Sequence, residues 1–196
     1  MNSAENSKFA SIYFDTLGCA KNSCDTNKMI KDVQSFGFEV VENADDANVI
    51  VLNTCAFIEI AVQESIDTFF EYRNFYKDKK IIVVGCLPSR YGKDLESSLE
   101  EADGFLPCNK EDELPKLIES LSFCPKDKIE ISKKSINNFA YVKISEGCNR
   151  RCSYCMIPKI RGEYKSLPYQ EIKEDVSEQT KKGASEIILV AQDCGV

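Results

Sequence analysis

The 196-residue chain contains no histidine and no tryptophan. Without histidine, a Ser-His-Asp triad, a Cys-His pair and every histidine-ligated zinc site are excluded. Glycine and proline are sparse, at 9 and 6 residues, so collagen-like and low-complexity architectures are excluded as well. No apolar run approaches the roughly 20 residues that a membrane-spanning helix needs. Met1 to Ala10 is polar, so no secretory signal is expected. Acidic residues outnumber basic ones 32 to 25, a net charge of −7 with a pI near 4.9. A dedicated nucleic-acid binder usually has a basic domain of pI above about 9. From these absences a soluble, cytoplasmic, packed protein is expected.

Cysteine is what the chain has in excess: ten, at positions 19, 24, 55, 86, 108, 124, 148, 152, 155 and 194. In a reducing compartment, metal ligation or catalysis is a better default for them than structural disulfides.

From Ser11 to about Leu121 short apolar runs alternate with helix-length amphipathic segments. Strands are expected at Ser11–Thr16, Asn48–Leu52 and Lys80–Val84, with a short one at Gly104–Leu106. Helices are expected over Asp25–Phe36, Ile60–Tyr72, Asp94–Glu100 and Glu111–Leu121, the first with Met29, Ile30, Val33 and Phe36 at helical spacing. Gly37 stands where a C-cap would end that first helix. Strands separated by helices pair in parallel, so the fold class is α/β, an open parallel sheet with helices on both faces. This N-terminal domain is expected to span residues 1–122. A polar, lysine-rich linker follows over 123–138. A second segment over 139–196 has a strand at Ala140–Ser145, a helix at Tyr169–Lys182 ended by Gly183, and a strand at Glu186–Ala191. That is one βαβ unit, and its parallel strands need further cover. Charge shifts at the linker: 24 acidic and 16 basic residues lie in 1–135, but 8 and 9 in 136–196.

Each of the three clear strands leads into a cysteine: Leu17-Gly18-Cys19, Asn53-Thr54-Cys55 and Val84-Gly85-Cys86. In a parallel sheet all strand C-termini lie on one edge, where ligands of open α/β folds bind. One such cysteine would be an ordinary core residue; three at the same topological position point to a shared metal site. Gly18 and Gly85 fit close approach of the backbone to a bulky ligand. Cys24, Cys108, Cys124 and Cys194 are expected to be spare thiols.

The second segment carries Cys148, Cys152 and Cys155 in the spacing C-x3-C-x2-C. Three thiolates on one loop suit three irons of a [4Fe–4S] cluster and leave the fourth iron open to a small molecule. Zinc would want a fourth ligand, and the loop offers none. From Tyr141 to Pro168 there are six basic and two acidic residues. Arg150, Arg151, Lys159 and Arg161 there either stabilise a negatively charged cluster, steer an anionic substrate, or are ordinary solvated charges.

This loop, following a strand and carrying an aromatic before its last cysteine, resembles the radical S-adenosylmethionine superfamily. The resemblance implies an open iron that chelates S-adenosylmethionine and reduces it to methionine and a 5′-deoxyadenosyl radical. It also implies that Tyr154 packs near the adenine; the alternative is a plain aromatic side chain. Gln192 and Asp193 follow a strand end, where this superfamily contacts the methionyl amine; the alternative is a simple turn.

Both cysteine trios together, with Thr16 to Asn22, Asn53-Thr54-Cys55, Val84-Gly85-Cys86 and Ile144 to Gly162, resemble the methylthiotransferases of that superfamily. Cys19, Cys55 and Cys86 would then hold a second, auxiliary [4Fe–4S] cluster. Leu17 to Asn22, Lys143 to Cys148, Ile157 to Tyr164 and Ala191-Gln192-Asp193 resemble the RimO-like branch, which acts on an aspartate β-carbon of protein twelve of the small ribosomal subunit. The MiaB-like branch, acting on an adenosine of tRNA, is the alternative substrate class. Asp25-Thr26-Asn27 departs from the family's usual Asp-Ser-Glu. The resemblance implies S-adenosylmethionine and an electron donor as further partners. A full barrel needs about six βα units, so a truncated radical-SAM core, inactive by itself, is expected. Two other functions stay open: a non-catalytic iron–sulfur scaffold or electron carrier, and a zinc-binding interaction module.

Overall fold

The computed structural model describes residues 8–126 and 138–194; most of the expected linker lies outside these residues. The N-terminal part is built from β1 (Lys8–Phe9), β2 (Ser11–Thr16), α1 (Ala20–Phe36), β3 (Glu39–Val40), β4 (Val49–Thr54), α2 (Glu59–Phe75), β5 (Lys80–Gly85), α3 (Cys86–Tyr91), α4 (Lys93–Ser98), β6 (Gly104–Pro107), α5 (Leu114–Ser120) and β7 (Phe123–Cys124). Five strands form one sheet in the order β3-β2-β4-β5-β6, every pair parallel. The two-residue strands β1 and β7 pair separately, also in parallel.

The two central strands read Val-Ile-Val-Leu-Asn-Thr and Lys-Ile-Ile-Val-Val-Gly, apolar without alternation because both faces are covered. Val49, Val51, Ile82 and Val84 pack with Met29 and Val33 of α1 and Leu114 and Ile118 of α5. Ile50, Leu52, Ile81 and Val83 pack on the opposite face with Phe69 of α2, Leu87 of α3 and Leu95 of α4. Burying each of these aliphatic side chains contributes roughly 1.5–3 kcal/mol. β-branched residues dominate both strands, as suits a pleated surface packed on two sides.

The second segment contains β8 (Phe139–Lys143), β9 (Ser145–Glu146), α6 (Ile157–Arg161), β10 (Lys165–Ser166), α7 (Tyr169–Lys181) and β11 (Glu186–Val190). β8 and β11 pair in parallel from Phe139↔Glu186 to Lys143↔Val190, with α7 as the crossover. The architecture is therefore α/β throughout: an open parallel sheet followed by one βαβ unit. An antiparallel pairing of β9 with β10, not visible as a sequence pattern, ties together the two ends of the stretch that carries the cysteine loop.

Several elements differ from expectation, each for an identifiable reason. α1 starts at Ala20, not Asp25, because its first turn is polar yet buried: Lys21, Asn22 and Asp25 are all inside. α3 follows β5 directly; Pro88 near its start is tolerated because that N–H has no intrahelical partner anyway. The stretch after Lys110 enters through a 3-10 turn at Glu111–Glu113 before α5 begins. At Phe123–Cys124 the chain forms β7 rather than starting directly as a linker. The two segments are docked by apolar contact as well as by charge: Ile160 of α6 joins the core cluster beneath α2, α3 and α4.

Candidate functional site

The C-terminal edge of the sheet brings Cys19, Cys55 and Cys86 to one place. Cys19 is the residue before α1, Cys55 follows β4, and Cys86 opens α3 immediately after β5. Asn22 organises them. Its side-chain amide donates to the carbonyls of Leu17 (2.8 Å) and Thr54 (3.0 Å). Its Oδ1 then lies 3.8 Å from the Cys19 sulfur and 3.9 Å from the Cys86 sulfur. Asn53 locks this turn by donating to the Asn22 carbonyl and to Thr26 Oγ1, both at 2.9 Å. The Thr26 hydroxyl is thus in use, and Thr16 Oγ1 sits 2.7 Å from it.

The glycines before Cys19 and Cys86 are required by the protein's own packing. Gly18 has φ +91°, and a Cβ there would stand 2.6 Å from Cys55 Cβ and 2.9 Å from its sulfur. Gly85 has φ +93°, and its Cβ would strike the Asn53 side chain and the Thr54 backbone. Both need the left-handed conformation, and both leave no room for a side chain.

Cys86 is the electrostatic centre of this set. Its thiol is held below its ordinary value by a hydrogen bond from Cys108 and by the Arg161 guanidinium, against the opposing effect of burial. Cys55 is pushed up by burial. Cys108, expected to be spare, thus stands beside Cys86: β5 and β6 are paired up to Gly85↔Pro107, and each cysteine is the next residue. The signal was present in the sequence, since the short strand Gly104–Leu106 also runs into a cysteine. Cys24 lies apart, and burial, with the Asp25 charge, raises its thiol to about 12.

Cys148, Cys152 and Cys155 lie on the loop between β9 and α6. Cys148 is buried, Cys152 exposed and Cys155 half-buried. The Cys148 N–H donates to the Gly162 carbonyl (3.2 Å), and Cys155 N–H to the Cys152 carbonyl (3.1 Å). Asp193 Oδ2 lies 3.9 Å from the Cys148 sulfur, and Arg150 grips Asp193 through two N–H groups, Nε and Nη2. Such a fork-to-fork pair fixes orientation as well as charge. Tyr154 is 85% exposed on the outer side of the loop. Gln192 points inward: it accepts from Lys21 Nζ (2.5 Å) and donates to Glu146 Oε1 (3.0 Å).

Between the two trios runs a buried ionic network that the sequence did not announce. Lys21 Nζ donates to the Ser145 carbonyl (2.7 Å) and pairs with Glu146 (3.1 Å). Lys143 bridges Asp25 (2.6 Å) and Glu146 (2.8 Å). Arg161 pairs with Asp25 and lies 3.6 Å from Glu146. Burial alone would raise Glu146, but Lys143, Arg161 and Lys21 bring it down to about 2. Burial and the neighbouring Asp25 charge push Glu111 up. Of the loop's basic residues, Arg151 and Lys159 are exposed; Arg161, which sequence alone allows to be a solvated charge, is 3% exposed.

Among the described residues no three cysteine or acidic side chains converge as around a single metal ion. Each set nonetheless offers three thiols, soft donors of the kind that hold iron–sulfur clusters. No helix among the described residues is long and apolar enough to cross a membrane.

A sheet edge bearing three thiols, docked onto a βαβ unit led by a C-x3-C-x2-C loop, defines a radical S-adenosylmethionine type of protein. The Radical SAM superfamily matches residues 142–194 and uncharacterized protein family UPF0004 matches residues 11–107. The ribosomal protein uS12 methylthiotransferase RimO of Clostridium acetobutylicum is 42% identical over 193 residues, covering 91% of this chain and 43% of that protein. Proteins of the same description from Caldicellulosiruptor saccharolyticus and Thermodesulfovibrio yellowstonii are 41% and 40% identical, over 93% and 91% of this chain and 45% and 42% of theirs. Over nine tenths of its length the chain is similar to RimO-like radical S-adenosylmethionine methylthiotransferases. It spans a little under half the length of these relatives.

Proposed function

We propose that the complete protein methylthiolates the β-carbon of an aspartate in protein twelve of the small ribosomal subunit, in the cytoplasm, using S-adenosylmethionine, an external electron donor and two [4Fe–4S] clusters. Residues 1–122 would form the domain of the auxiliary cluster, 123–138 a linker, and 139–196 the start of the radical-SAM core. The observation that carries this reading is the pair of thiol sets: Cys19, Cys55 and Cys86 gathered around Asn22, and Cys148, Cys152 and Cys155 on one loop of the segment docked against them. The names of the relatives favour the ribosomal protein over tRNA as substrate.

When bound at Cys148, Cys152 and Cys155, a cluster with one open iron supplies the electron that cleaves S-adenosylmethionine and so activates a C–H bond. The chain's own residues prepare that site. Asp193, clamped by Arg150, offers a carboxylate beside Cys148. Tyr154 presents an uncovered ring to an adenine. Gln192, with both ends of its amide engaged by Lys21 and Glu146, is held in place just beyond the end of β11. Cys19, Cys55 and Cys86 would hold the second cluster, whose open iron would carry the sulfur to be inserted.

Anaerobic reconstitution of the complete protein is expected to yield about eight irons per chain, four for each of two cubanes. Cys148→Ala should remove one cluster together with all formation of 5′-deoxyadenosine from S-adenosylmethionine; unchanged formation would overturn the assignment. Mass spectrometry of ribosomal protein uS12 and of tRNA from a deletion strain separates the two substrate classes. Loss of the modification from tRNA with an unchanged ribosomal protein would overturn the substrate proposed here.

A further inference from the structure

Arg161 belongs to the second segment, yet its guanidinium reaches the first thiol set. Nη2 donates to Asn22 Oδ1 at 2.6 Å and lies 3.3 Å from the Cys86 sulfur. Nη1 is held by Asp25. Asn22 is the residue whose Oδ1 already faces the sulfurs of Cys19 and Cys86. The Arg161 side chain is 2% exposed, that of Asp25 4%, so the contact is dry and its charge is weakly screened.

Lys21, Lys143 and Arg161 are three cations held directly by two carboxylates, Asp25 and Glu146. The Arg161 end of the network lies against the Cys86 sulfur. A guanidinium has a planar fork of donors, which lets one group hold an amide oxygen and a sulfur on one side and a carboxylate on the other. Lysine keeps the charge but not the fork, so it reproduces that pattern only in part.

We infer that Arg161 is a positioning residue of the first thiol set, supplied across the segment boundary: it holds Asn22 and Cys86 in place and sets the charge felt by whatever those thiols bind. The inference rests on the proposal that Cys19, Cys55 and Cys86 hold a cluster. The auxiliary site is then complete only when the second segment is docked, and α6 is the element that completes it. A fixed cation beside a cluster favours its reduced, more negative form, so removing it makes reduction harder.

The test uses this chain with Cys148, Cys152 and Cys155 changed to alanine, so that only the first set can bind iron. Iron per chain is measured, and the midpoint potential is read by electron paramagnetic resonance during an anaerobic redox titration. Arg161→Met is expected to move the potential to more negative values, by about 59 mV if reduction becomes tenfold less favourable in a one-electron couple. Arg161→Lys should recover part of that shift. If the Arg161→Met variant loses its iron, retention in Arg161→Lys supports the inference and loss from both overturns it. An iron-loaded parent whose potential is unchanged by Arg161→Met would overturn the inference alone; a parent that takes up no iron would overturn the cluster proposal, and the inference with it.

Discussion

Arg161 and Asp25 are 136 positions apart in the chain and meet as a buried ion pair, each side chain under 5% exposed. Asp25 also holds Lys143, so one carboxylate of α1 anchors two cations of the second segment. Removing one member of a buried pair leaves the other charge without compensation, which typically costs about 3–5 kcal/mol. Asp25→Asn is therefore expected to destabilise the chain by about that amount and to expose the junction first. Chemical denaturation with hydrogen-exchange mass spectrometry over α1 and β8 checks this; wild-type stability with unchanged exchange would refute it.

Gly18→Ala tests the crowding of the first thiol set. The substitution places a methyl group 2.9 Å from the Cys55 sulfur in a backbone conformation that alanine avoids, a strain of roughly 1–3 kcal/mol. Iron bound by the first set, measured with the second loop's cysteines changed to alanine, should fall. Gly92→Ala is the control, since Gly92 also has positive φ but nothing within 4 Å of the added carbon. Equal iron loss in both variants would mean that backbone strain, not contact with Cys55, is responsible.

Asp103 ties the sheet edge near β6 to its neighbours, accepting from Lys80 (2.7 Å), Arg73 (2.8 Å) and the Ile81 N–H (2.9 Å). Burial opposes its ionisation, but these donors win and hold its carboxyl below the usual 3.8. A carboxylate with a lowered folded-state pKa contributes stability that is present above the unfolded value. That stability is lost as pH falls through 3.8 toward the lower folded value. The urea midpoint of the wild type should therefore fall more steeply than that of Asp103→Asn as pH drops below about 4. Parallel curves for the two proteins would remove Asp103 from the account of acid lability.

Ile82 is fully buried at the centre of β5, between Val51 of β4 and the α1–α5 layer. Ile82→Ala should cost about 2–5 kcal/mol, the transfer term plus the cavity left behind. Thermal or urea unfolding measures this directly, and a loss below about 1 kcal/mol would imply that the sheet relaxes around the gap.

The strands are legible because β2, β4 and β5 are short, continuous apolar runs between helix-length segments, and that alone implies parallel pairing. Their C-terminal cysteines are legible for the same reason: a parallel sheet collects strand ends on one edge. Cys108 marks the limit of that rule, since its strand is brief and half-buried, so its cysteine reads as spare. The early start of α1 is hidden because Lys21, Asn22 and Asp25 look like surface residues until the second segment covers them.

Sequence by itself determined the alternation of strands and helices, the shared edge of Cys19, Cys55 and Cys86, and the single loop of Cys148, Cys152 and Cys155, because each depends only on local periodicity and spacing. Only the tertiary structure decided that Arg161 and Lys21 cross between the segments and that Asn22 faces two sulfurs. A charged residue carries no local mark of its partner: its place is set by desolvation and by opposite charges more than 100 residues away, and these exist only after the two segments have packed.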